Sequence, residues 1–337
     1  MLRKFLTAFI AAGTIISTAI AQTNSLNTIS PDSVITDNEV PEEVKSNPVI
    51  TASIDAYYRY NFSNSKTTTN NFTSFTNSQN SFELGMASVK LEHSIGKVGM
   101  VADLGFGKRA EEFSYNDDNT RFAIKQLYAT YSPWKNTKFT AGSWATHIGY
   151  ELVDAYANKN YSMSYMFSYG PFFHTGLKAE YTAGKSGFML GIANPTDFKS
   201  ASFANKYVVA QYSVATKNDK LKAYLNFLGG KANDSSKNNQ LDLVLLGTVS
   251  NKFSVGYNGT VASFKQKVGN KFGEADSWWG SAIYLNVDPV SWLGLTLRSE
   301  YFGDKKLQTA VFSNAGGNIF ANTLSANFKI DNLIIIP

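Results

Sequence analysis

The chain has 337 residues, with 31 Lys and Arg against 26 Asp and Glu, and aromatic side chains make up 14%. Charged residues are 17%, below the roughly 25% of an average soluble domain. The absence of cysteine excludes disulfide scaffolds, thiol catalysis and thiolate zinc sites, and three histidines leave little for a metal cluster.

In chain order, residues 1–21 have the form of a secretory signal. Arg3 and Lys4 precede an apolar run from Phe5 to Ile16, and Ala19-Ile20-Ala21 fits the small-residue cleavage rule. Its removal lowers the formal charge of +5 by two, leaving too little to point to nucleic acid. Beyond it no apolar run reaches the ~18 residues of a spanning helix. Residues 22–48 are rich in Ser, Thr, Asn and acids, carry Pro31, Pro41 and Pro48, and have no period. They read as a flexible periplasmic leader.

From residue 49 the pattern is period two. Ile54, Ala56, Tyr58, Tyr60 and Phe62 alternate with Ser53, Asp55, Tyr57, Arg59 and Asn61, and similar runs recur along the chain. Strands are predicted near 51–62, 80–94, 97–108, 121–132, 137–148, 172–183, 186–194, 206–216, 219–229, 239–249, 252–265, 276–288, 291–303 and 318–330, with another opening at Leu333. Most suit the ~9–11 residues that a tilted strand needs to cross a membrane.

The connections alternate in length. Short ones rich in turn formers include Ser94-Ile95-Gly96-Lys97, Ala183-Gly184-Lys185-Ser186 and Asp331-Asn332. Long ones span 63–79, 109–120, 149–171, 195–205, 230–238, 266–275 and 304–317. That parity implies an all-β, up-and-down antiparallel transmembrane β-barrel over 49–337, of about 14–16 strands, short turns facing the periplasm and long loops outside. Trp134 and Trp292 fall on the short-turn side, and Trp144, Trp278 and Trp279 toward the long loops, as an aromatic girdle would have them. Such barrels close with an even strand number. The opening of a further strand at Leu333 therefore reads as a chain lacking its closing strands; a miscounted sheet with a short last strand is the alternative.

The segment from Trp144 to Glu151, with that from Asn160 to Gly176, resembles a signature of a β-barrel porin family (OmpL-like) found in Bacteroidota. The stretch from Ile54 to Phe62 is similar to the first strand of that family. The resemblance covers roughly 50–337 and implies an outer-membrane barrel with a pore role. It implies no catalytic residues and no particular solute.

The faces opposite the apolar ones carry Asp55, Arg59, Asp103, Lys178, Glu180, Lys222, Arg298 and Glu300. Both signs are equally represented, which suits a polar, water-filled pore with little net ion preference. An interior closed by ion pairs is the other reading, and strand number decides, since ~8 strands fill with side chains whereas 16 leave a channel. The connection 149–171 is long and aromatic, and folded into the lumen it would narrow the pore through Asp154, Tyr156, Tyr161, Tyr165 and Tyr169. A lid over the rim or a surface loop is the alternative.

His147 and His174 flank this loop near Ser143 and Ser168, with no orienting acid at a recognisable spacing, so they read as hydrogen-bonding groups at the loop base rather than a catalytic base. Asp117, Asp118 and Asn119 lack the spacing of a calcium loop and read as a solvated tip. No metal or cofactor is expected. The expected function is passive diffusion of small hydrophilic solutes across the outer membrane, with lipid and solute as partners and no nucleic acid. The rivals are an occluded surface barrel acting as an adhesin or structural protein, and an outer-membrane hydrolase.

Overall fold

Period-two alternation across strands of 8 to 16 residues builds a single antiparallel sheet. The computed structural model describes residues 47–63, 72–202, 205–312 and 315–337. The signal segment and the leader through residue 46 lie outside the described residues.

The strands are β1 (Val49–Arg59), β2 (Ser81–Ile95), β3 (Val98–Phe106), β4 (Ile124–Trp134), β5 (Thr137–Ala145), β6 (Phe173–Ala183), β7 (Ser186–Ala193) and β8 (Tyr207–Ala215). They continue with β9 (Leu221–Lys231), β10 (Ser236–Ser250), β11 (Phe253–Val268), β12 (Lys271–Phe272), β13 (Asp276–Val290), β14 (Leu293–Asp304), β15 (Gly317–Ile330) and β16 (Leu333–Ile335). Each pairs with its neighbour in sequence, except that β12 is a short spur on β11, so β11 pairs onward with β13. Every strand placed by alternation is present, and β16 is the one opening at Leu333. Among the described residues no ladder joins β1 to β16.

The short turns close on residues that tolerate positive φ: Gly96 at 55°, Asn136 at 70°, Gly184 at 60°, Asp219 at 56° and Asp331 at 49°. Tight hairpins need such backbone because only that twist matches the strands they join.

The two faces of the wall separate by chemistry. Ala56, Tyr58, Leu104, Tyr181, Leu225 and Leu295 are exposed, whereas their neighbours Asp103, Glu180, Asn226, Thr296 and Arg298 are buried. A one-residue slip of register would exchange the two sets.

The structure corrects three expectations. The connection expected at 230–238 shrinks to 232–235, because β9 and β10 extend into it with register pairs out to Lys231 and Lys237. The one at 266–275 is mostly hairpin, through the β11–β12 pair. Trp134, Trp279 and Trp292 are exposed, but Trp144 and Trp278 are buried on the inner side. Adjacent residues on a strand face opposite ways, so Trp278 and Trp279 cannot both join an outer girdle.

Candidate functional site

The connection between β5 and β6 leaves the rim and runs through the barrel. Its two ends are tied together where Thr146 N donates to Phe172 O at 3.0 Å. Gly149, at φ 92°, turns the chain inward, a conformation that side-chain-bearing residues rarely adopt. Its N–H donates to the buried Asp242 Oδ1 of β10 at 3.0 Å. Tyr150 then stacks on Tyr284 of β13, ring centroids 3.9 Å apart.

The descending limb crosses toward β3 and β4, where Asp154 accepts from Lys125 at 2.6 Å, and Lys125 also lies 3.2 Å from Asp103. Asn158 braces the bend by bonding the backbone of Leu152 and Asp154. The deepest point is at Lys159 and Asn160. Lys159 pairs with Asp288 at 2.8 Å near the short-turn end of β13, and Asp288 also takes Lys329 at 2.9 Å. Asn160 Nδ2 donates to Ser325 Oγ of β15 at 2.9 Å.

The ascending limb returns along β1 and β14. The Tyr161 hydroxyl donates to Asp55, a contact made possible by Gly85, where an added Cβ would lie 1.7 Å from Asp55 Oδ1. Arg298 is the centre of this limb. It donates to Glu151 Oε1 at 2.6 Å, Ser162 O at 2.6 Å, Met163 O at 3.0 Å and Thr323 Oγ1 at 3.1 Å, with Glu300 at 3.5 Å. Glu151 accepts Ser164 N and Glu300 accepts Tyr165 N, so both carboxylates also hold the loop backbone. Buried charges persist only when paired and hydrogen-bonded in this way.

The loop then forms a short helix, Tyr165–Tyr169, capped by Ser164, whose Oγ accepts from Phe167 N at 3.1 Å. Its aromatic content is explained by two buried clusters. One gathers Phe75, Phe113, Met163, Phe167, Phe172 and Phe173, and the other sets Met166 against Trp278 and Phe302.

Arg109, on the short helix Lys108–Phe113, is fully buried between the Phe75 and Tyr161 rings, 5.0 and 4.9 Å from their centroids. It donates to Val153 O and Tyr161 O, joining the descending limb to the ascending one. Neither Arg109 nor Lys125 was singled out by the sequence. Their partners are far along the chain, and no local pattern marks them.

The expected site residues therefore fall into groups. Arg298 and Glu300 meet with Glu151, Asp55 meets Tyr161, and Asp103 meets Asp154 through Lys125. Glu180 pairs with Lys178 at 3.3 Å and with Lys138 at 3.0 Å, on the far wall. Tyr165 lies against Phe302, and Tyr169 donates to Phe72 O. Tyr156 is exposed near the tip. Arg59 donates to Ser78 O near the long-loop end of β1, and Lys222 is half-buried at the short-turn end of β9, away from the loop.

His147 and His174 lie with ring centroids 5.0 Å apart. His147 Nε2 meets Phe227 O and His174 Nε2 meets Thr146 Oγ1, each at 3.0 Å. Burial pushes the His147 imidazole down to about 4. Ser168 Oγ is engaged with Ser164 O and Ser74 N instead. Asp117, expected at a solvated tip, is buried against Lys199 at 2.6 Å. Among the described residues no group of three or more His, Asp or Glu is placed to hold a metal.

The loop exit is held by Asp197, a buried residue at φ 61°. It accepts Phe172 N at 2.7 Å, Phe173 N at 3.0 Å and the Tyr115 hydroxyl at 3.1 Å. Burial raises this carboxyl to about 7, against the lowering effect of the two amides. The folded protein thus holds this proton to a higher pH than the unfolded chain, so its stabilising contribution is present below about pH 4 and is lost as pH rises to about 7. Asp197→Asn keeps an accepting oxygen without the charge. Its melting temperature relative to wild type is expected to rise between pH 4 and 7 and level off above. A pH-independent difference would contradict this assignment.

Comparison with known proteins gives the same architecture. The family model described as "Putative beta-barrel porin-2, OmpL-like" matches residues 49–337. No curated protein matches by sequence. The fold is similar to the outer membrane channel DcaP of Acinetobacter baumannii, at 10% identity and TM-score 0.53, over 82% of this chain and 86% of that one. It is also similar to the anion-selective porin from Comamonas acidovorans, at 10% identity and TM-score 0.53, over 84% and 85%. At such identity these likenesses show the fold, while the family match covers nearly the whole described chain: the chain belongs to the OmpL-like β-barrel porins of the outer membrane.

Proposed function

We propose that the 149–171 loop is the constriction of a diffusion pore for small hydrophilic solutes. The observation that carries this reading is the span of its contacts, which reach β1, β4, β10, β13, β14 and β15. An aromatic segment standing in solvent would forgo the roughly 1.5–3 kcal/mol that burying each large apolar side chain contributes.

The loop divides the lumen unevenly. On the β8–β11 wall the amides close on one another: Gln211 donates to Asn226, and Asn226 and Asn258 donate to Asp242 at 2.8 and 2.5 Å, all four being buried. Open space lies instead at the seam between β1–β2 and β14–β16, a cavity of about 730 Å³ bordered by Tyr161 and Tyr165 of the loop and also by the outward-facing Tyr58 and Leu84 and by Leu333–Pro337. Passage through the lumen needs no covalent chemistry, and the role is that of a channel rather than an enzyme. Residues 1–21 serve in this reading as the secretory signal and 22–48 as a periplasmic leader.

The test uses the absence of native cysteine. With Asn160→Cys and Ser325→Cys, mild oxidation of intact outer membranes is expected to give a single intramolecular disulfide. The tethered protein is then expected to conduct like the reduced one, since the open path lies beside the tether. Failure of the pair to bridge in a folded protein would remove the loop from the lumen. Absence of current in both the reduced and the bridged protein would favour an occluded surface barrel.

A further inference from the structure

We propose that a row of lysines on the outer wall, Lys231, Lys237 and Lys265, binds the phosphate groups of an anionic lipid in the outer leaflet of the membrane. The site lies on the lipid-facing side and is independent of the loop in the lumen.

The register brings the three side chains together. Lys237 of β10 pairs directly with Lys231 of β9 on one side and with Lys265 of β11 on the other. Residues directly opposite on antiparallel strands share a face. That face is the outer one. Leu241 and Val261, each four residues along the strand from Lys237 and Lys265, are exposed, whereas Leu228, Gln240 and Ala262 on the other parity are buried. Lys231 and Lys237 are exposed and Lys265 is half-buried. The Lys231 ammonium also reaches the Phe272 ring of β12, 5.9 Å from its centroid.

Like charges set directly opposite one another destabilise a sheet, and nothing in the protein offsets this row. Other lysines on the long-loop rim are paired: Lys108 with Glu112, Lys199 with Asp117 and Lys306 with Asp276. Among the described residues Lys231, Lys237 and Lys265 have no carboxylate partner, and neither do Lys267 and Lys271 just beyond them. Asp234, in the turn between β9 and β10, and Glu274, after β12, are exposed and pair with none of these.

Height on the wall selects the partner. Trp279 is exposed and pairs directly with Val261, so its ring marks the edge of the apolar band. Lys265 lies four residues further toward the long-loop end, roughly 13 Å along the strand, beyond the acyl chains and at the level of headgroups. Adjacent strands are about 4.8 Å apart, so neighbouring ammoniums can converge on one phosphate. A lipid gains from both parts of this surface, its chains against Leu241 and Val261 and its phosphate against the lysines. A free anion gains only from the second.

The experiment titrates the full chain, in a non-ionic detergent, with diphosphoryl lipid A and reads the lipid-bound fraction by native mass spectrometry. Binding is expected to saturate, and lipid A stripped of its phosphates is expected to bind at least tenfold more weakly. Lys237→Gln is expected to raise the half-saturating concentration about fivefold, and K231Q/K237Q/K265Q together about a hundredfold. Lys306→Gln, on the same rim but already paired with Asp276, is expected to leave it unchanged. Heat-modifiable gel mobility reports folding, and Lys237→Gln alone carries the test should the triple variant fail to fold. Equal binding by wild type and the folded lysine variants would overturn the proposal. So would equal binding of the two lipids, which would mean apolar attachment only. Displacement of the lipid by inorganic phosphate at equal concentration would also overturn it, and would make the row a small-anion site.

Discussion

Arg298→Ala is expected to lower stability by about 3–5 kcal/mol, because it strands two buried carboxylates. Glu151 and Glu300 both lie against this guanidinium and are buried. The same side chain holds the carbonyls of Ser162 and Met163, so the ascending limb of the loop loses its main attachment to β14. The barrel wall is untouched, since β14 keeps its backbone ladders to β13 and β15. Two readouts should therefore separate. The protein remains a barrel by strand content, while its thermal transition falls and its channel current becomes noisy as the loop moves. Arg298→Lys is expected to rescue only part of this. An ammonium is a point charge and cannot reach Glu151, Met163 O and Thr323 in the fixed fork that a guanidinium offers. Wild-type stability in Arg298→Ala would mean that the loop is held by its apolar clusters alone.

Much of the wall was legible in the sequence because a membrane strand repeats one simple rule. The alternation from Ser53 to Asn61 assigns every side chain of β1 to a face, and the turn formers at Gly96, Asn136 and Gly184 fix where strands reverse. The same rule marks Arg298 and Glu300 as inward, since Leu295 and Leu297 set the other face. The connections at 230–238 and 266–275 were misjudged because polar residues such as Lys237, Asn238, Gln266 and Lys267 read as loop. Strands that project beyond the lipid no longer need an apolar face, so alternation fades there while hydrogen bonding continues.

The loop was legible in composition but not in its contacts. Its six phenylalanine and tyrosine rings between Tyr150 and Tyr169 signalled burial. Nothing local showed that Lys159 would meet Asp288, 129 residues away, or that Arg109 would bind Val153, 44 residues away. Gly85 carried no signal either, because its role is the space it leaves beside Asp55. Contacts of this kind depend on the closing of the sheet into a wall, and a one-dimensional pattern does not encode which distant residues then face each other.

If the loop limits passage, removing its deep portion widens the path. Deletion of 156–166 takes away Lys159, Asn160 and Tyr161, and with them the attachments to Asp288, Ser325 and Asp55. It leaves the Thr146–Phe172 backbone bond and the Asp197 clasp at the loop base, so the remaining ends can still be joined. None of the strand ladders involves these residues. The measurement is the unitary conductance of the shortened protein in planar bilayers beside the full chain. A folded barrel whose conductance is several-fold higher is expected. A folded barrel with unchanged conductance would contradict a limiting role and make this loop a structural plug beside a path that it does not control.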